Sequence, residues 1–162
     1  MNQRGLTLLE VLILIILVGI LGTLLIPWRG PGEARRVACA NNLSRLYRLA
    51  SVYASTHRGE WPATGEDPWL LLARTKPPLI EPEQIDVLHC PVRGEAAVAG
   101  RTDYRGPKVP WTQLGAGDPV AADKDGNHGK NEAGNILLKD GSLIEARPQD
   151  PIWRQCASKL SP

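Results

Sequence analysis

The chain has 162 residues, a formal net charge of +2 and three cysteines. That length suits one domain of ordinary size. A charge so near zero gives no case for a nucleic-acid partner, and none of the cysteines sits in a Cys-x-x-Cys metal spacing.

Residues 6–26 form a run of 21 in which Glu10 alone is charged. About 20 apolar residues in a helix span the roughly 30 Å hydrocarbon core of a bilayer, so 6–26 is predicted to be a transmembrane helix. Pro27 and Arg29-Gly30-Pro31-Gly32 close it. A cleaved secretory signal fits less well. Its apolar part runs about 7–15 residues before a small-x-small site, whereas Leu25-Ile26-Pro27-Trp28 offers no such site. A plain anchor leaves Glu10 unexplained, because a charge inside a membrane helix costs on the order of 2.5–3.5 kcal/mol at its centre.

Residues 27–32 hold two prolines and two glycines, so a break is expected there. A second helix is predicted over 33–57. Cys39, Leu43, Leu46, Ala50 and Tyr53 recur in steps of three and four along its buried stripe. His57 falls on the same stripe and is expected to be packed. Arg35, Arg36, Arg45 and Arg48 suit a solvated face. After a loop, Asp67-Pro68 announces a short helix, and another turn of helix is expected within 81–88. Strands come late, at 101–105 and 118–123. Then NILLK-DG-SLIEA predicts a hairpin of 135–139 with 142–146 through a two-residue type I′ turn. Asp150-Pro151 caps a terminal helix.

The predicted fold class is therefore α+β: an N-terminal transmembrane helix, then an amphipathic helix packed on a small antiparallel sheet. The stretch ADKDGNHGKNE offers Asp123, Asp125, Asn127 and Asn131 as oxygen ligands for calcium. An EF-hand wants glycine at the sixth position, where this loop has His128. A metal-free, turn-rich loop is the other reading. No nucleophile signature surrounds Cys39, Cys90, Cys156, His57, His89 or His128, and no Gly-x-x-x-x-Gly-Lys-Ser/Thr phosphate loop is present. No catalytic residue is assigned, and a non-enzyme is expected.

Arg4-Gly5-Leu6-Thr7-Leu8-Leu9-Glu10 resembles the leader of type IV pilins and type II secretion pseudopilins. The resemblance implies a leader of residues 1–5 and a transmembrane helix of 6–26. It also implies cleavage after Gly5 by prepilin peptidase, with methylation of the new amine at Leu6. Glu10 matches the family's glutamate, and Pro27 its proline. Leucine stands where the family usually begins its mature chain with phenylalanine. Further on, Cys39-Ala40-Asn41-Asn42-Leu43, a turn from Tyr53 through Gly59 to Pro62, Cys90-Pro91, and His128 with Asp140-Gly141 resemble the pilin-like group with an H-x9-DG box. Here eleven residues, not nine, separate His128 from Asp140.

The resemblance implies a structural subunit, a minor pilin or pseudopilin of a type II secretion pseudopilus or type IV pilus. It would sit single-pass in a bacterial inner membrane, with residues 33–162 as a periplasmic pilin-like domain. Its partners would be other pilin or pseudopilin subunits, prepilin peptidase, the inner-membrane assembly platform and the lipid bilayer. Glu10 would meet a neighbour's N-terminal amine. A calcium ion in a late loop is known in the major pseudopilin. The boxes around Cys39 and Cys90 favour a disulfide between them. Cys90–Cys156 and three free thiols are the alternatives. A different class of protein also fits: a membrane-tethered periplasmic binding module that does not polymerise.

Overall fold

A computed structural model of the chain describes residues 7–25, 31–62 and 68–161. The chain divides into two units, 1–30 and 31–162. The first contains helix α1, Leu8–Leu25. Every large apolar side chain over residues 8–21 is exposed, from 44% at Val11 to 88% at Leu8. Among the described residues no helix is long and apolar enough to cross a membrane. This corrects the expected span on its described part. The 18 residues of α1 reach about 27 Å at a rise of 1.5 Å per residue, against a hydrocarbon core of about 30 Å. Gly5, Leu6, Ile26 and residues 27–30 lie outside the described residues.

The second unit opens with α2, Pro31–Thr56. The expected break at 27–32 therefore does not extend to Pro31 and Gly32. Proline is tolerated at the first helical position, where its missing N–H had no intrahelical partner. Arg58 and Gly59 take positive φ angles of 57° and 82° and end the helix. Cys39, Leu43, Leu46 and Ala50 are fully buried, while Tyr53 is half-buried and Ala54 continues the stripe. His57 is exposed rather than packed in the core. It lies one residue past the helix, its ring stacked on Tyr53 at 3.8 Å.

Then follow α3, Pro68–Arg74, and a 3-10 helix, Pro82–Leu88. Four antiparallel strands come next: β1 Tyr104–Arg105, β2 Pro119–Asp123, β3 Gly134–Leu138 and β4 Leu143–Ala146, in the order β1-β2-β3-β4. Helix α4, Pro151–Lys159, closes the unit. The first strand is shorter than the expected 101–105. Thr102 and Asp103 instead turn toward the 3-10 helix, where Thr102 Oγ1 and Asp103 N both donate to Leu88 O.

The hairpin forms, but its turn differs from expectation. Leu137 pairs with Leu143, and Leu138 N donates to Ser142 O. Lys139-Asp140-Gly141 is therefore a three-residue loop. A type I′ turn needs positive φ at both central residues, whereas here only Gly141 has it, at 87°. The Asp140 carboxylate accepts from Ser142 N and Oγ, and these bonds hold its carboxyl below the usual aspartate range.

Both faces of the sheet are covered. Val120 and Leu137 pack in a core with the α2 stripe, Trp69 and Tyr104. Ala122 and Ile136 face the other way, against Trp153, Cys156 and Leu160. Strands β2 and β3 consequently read as nearly unbroken apolar runs rather than alternating ones. At Gly134 a side chain has no room. A Cβ there would sit 2.5 Å from the Trp153 indole. Gly134→Ala is expected to destabilise the domain by about 1–3 kcal/mol through overpacking. Denaturant unfolding of the two chains checks this, with an unchanged midpoint as the contrary result.

Candidate functional site

Two places in the chain concentrate the residues singled out from the sequence. The first is the start of α1. Thr7 precedes the helix, and Glu10 lies in its first turn. Glu10 Oε2 accepts from Thr7 N at 2.8 Å and from Thr7 Oγ1 at 2.9 Å, while Glu10 N donates to Thr7 Oγ1 at 3.3 Å. This is a capping box, in which a Thr-x-x-Glu spacing satisfies otherwise unpaired N–H groups reciprocally. Thr7-Leu8-Leu9-Glu10 carries that signature openly, and an emphasis on the apolar run passes over it. Glu10 thus has a partner in its own chain. Gly5 and Leu6 lie outside the described residues.

The second place is buried in the other unit. Cys39 and Cys90 are joined by a disulfide, with Cα atoms 5.1 Å apart, and Cys156 is free and buried. Each half is positioned by its own element. Cys39 lies on the inner stripe of α2. Cys90 follows the 3-10 helix and is held by its backbone, since Cys90 N donates to the buried carboxylate of Asp103 at 3.0 Å. Asn42, one turn along α2 from Cys39, donates to His89 O at 3.0 Å. The stretch around Cys39 and the Cys-Pro stretch therefore meet through a side-chain hydrogen bond as well as the disulfide.

His128 and Asp123 complete this group. The ligand-capable atoms of Cys39, Cys90, Asp123 and His128 all lie within 4.8 Å of one another, and all four residues are buried. His128 Nε2 is 3.4 Å from Cys90 Sγ and 3.3 Å from Asp123 Oδ2. His128 Nδ1 is 2.9 Å from Ala133 O. A carbonyl only accepts, so Nδ1 carries a hydrogen and Nε2 is the nitrogen turned to the sulfur and the carboxylate. Asp123 Oδ2 also accepts from Asn135 N at 2.7 Å and Asn135 Nδ2 at 3.0 Å. Burial pushes the Asp123 carboxyl above the usual range, opposed by His128 and by the Asn135 donors. Burial likewise pushes the Cys156 thiol up to about 11, which makes it a poor nucleophile near neutral pH.

The four residues expected as calcium ligands are divided among different partners. Asp123 faces His128 and Asn135. Asp125 pairs with Arg105 at 2.7 Å and accepts from Trp153 Nε1 at 3.2 Å. Asn127 Nδ2 donates to Asp103 O at 2.7 Å. Asn131 is exposed. Asp125 thus serves as a bracket between β1 and α4. The contact of His128 with Cys90 spans 38 residues, so local spacing carries no sign of it. No protein-family model, curated protein or solved structure matches the chain.

Proposed function

We propose that the chain is a membrane-anchored structural subunit of a pilin-like filament, assembled through its N-terminal helix. One observation carries this reading. Beyond Glu10 in its first turn, helix α1 is apolar around its circumference, and its large side chains over residues 8–21 are exposed. A helix of that kind belongs in a protein interior or in lipid. Within its own unit the described residues offer it neither, so lipid and then neighbouring helices are the natural cover. The second unit, a long amphipathic helix against a four-stranded antiparallel sheet, suits the exported half of such a subunit.

In this reading prepilin peptidase removes Met1–Gly5 and the amine of Leu6 is methylated. Intact mass and N-terminal sequencing of membrane-extracted protein, from cells with an active peptidase, are expected to find both changes. Recovery of full-length chain alone would count against the reading.

A further inference from the structure

We propose that the reduced chain holds one zinc ion through Cys39 Sγ, Cys90 Sγ, His128 Nε2 and Asp123, and that closing the Cys39–Cys90 disulfide expels it. Two thiolates, an imidazole and a carboxylate are a zinc donor set, with ligands about 2.0–2.3 Å from the metal in a tetrahedron. Such a tetrahedron has ligand-to-ligand edges of about 3.3–3.8 Å. The His128–Asp123 and His128–Cys90 edges, 3.3 and 3.4 Å, already fall in or near that range. The two sulfurs are held closer because they are bonded to each other, and the remaining ligand atoms all lie within 4.8 Å of one another.

The surroundings point the same way. The Nδ1 hydrogen bond to Ala133 O leaves Nε2 as the coordinating nitrogen, the usual outer-shell arrangement for a metal-bound histidine. Asp123 Oδ2 is oriented by Asn135. Asp123 Oδ1 is buried and has no hydrogen-bond partner among the described residues. A buried carboxylate oxygen left unpaired is destabilising unless something positive reaches it. Cys156 is not part of the group.

The chemistry balances. A phosphine reductant gives two electrons to the disulfide and takes its oxygen from water, and two thiols form. Zinc then binds the two thiolates, His128 and Asp123. The two thiol protons leave to solvent. A small-molecule disulfide reverses this: it takes two electrons from the Cys39 and Cys90 thiolates and, with two protons from solvent, leaves as two thiols, while the two sulfurs join and the ion is released. The same residues would thus carry a metal before oxidation and a covalent bridge after it.

The test uses the full-length chain in detergent. It is reduced anaerobically with a phosphine, exposed to Zn2+ alone, desalted and analysed for metal. Thermal unfolding is followed in parallel. One zinc per reduced chain is expected, with a raised unfolding midpoint, and none is expected in the oxidised chain. Cys156→Ser should bind as the parent does. His128→Gln and Asp123→Asn should each weaken binding at least about 10-fold. Binding through the thiols of an unfolded chain would leave those two variants unaffected and the midpoint unmoved, and either result overturns the proposal. So does a reduced chain that takes up no zinc.

Discussion

A chain carrying alanine at both Cys39 and Cys90 should be about 4 kcal/mol less stable than the oxidised parent. The disulfide joins residues 51 apart in sequence, and closing a loop of that length removes about 4 kcal/mol of chain entropy from the unfolded state in the loop-closure account. For a unit of this size the thermal midpoint should fall on the order of 15 °C. The effect should be specific. Cys156 lies on the buried face of α4, its Sγ donating a hydrogen bond to Ile152 O, and it closes no loop. Cys156→Ala should therefore shift the midpoint much less. Equal midpoints for the oxidised parent and the Cys39/Cys90 variant would refute the expectation.

The second large effect concerns Glu10, which the structure provides with a local role beside the one proposed for assembly. Glu10→Ala removes the capping box and the charge together. Glu10→Gln separates them, because glutamine serves in a capping box as glutamate does but carries no charge. Two unit charges about 4 Å apart at an effective dielectric near 20 attract by roughly 4 kcal/mol before desolvation is subtracted. If that attraction joins Glu10 to a neighbour's amine, both variants should insert in the membrane normally. Both should also be depleted at least about 10-fold from purified filaments, since 1.4 kcal/mol already corresponds to that factor. Glutamine behaving as the parent, with alanine defective, would assign Glu10 to the helix cap alone.

The parts of the fold governed by neighbouring residues were legible in the sequence. The α2 stripe of Cys39, Leu43, Leu46 and Ala50 follows helical period and is buried as that period requires. The strands flanking Asp140-Gly141 lie within one residue of expectation at each end. The turn between them differs from expectation because Asp-Gly permits two hairpin geometries, and the register of Leu137 on Leu143 selects the longer one. His57 keeps the period of the stripe, yet the helix ends before it, so the period no longer governs where its ring points. The coverage of both sheet faces was not legible, because α4 reaches the far face by tertiary packing alone. The same limit applies to the buried group. Asp123 reads in sequence as a loop oxygen, but its partners come from β3, from His128 and, through the histidine, from a Cys-Pro stretch far along the chain.

The Cys39–Cys90 link also governs how the second unit can bear load. Tension applied along the chain from α2 toward the sheet crosses directly from residue 39 to residue 90. The 50 residues from 40 to 89, which include most of α2, all of α3 and the 3-10 helix, lie off that path. Fully drawn out they would lengthen the chain by about 170 Å. The covalent link forbids that extension, so the second unit under pull yields outside the loop, at the start of α2, the strands and α4.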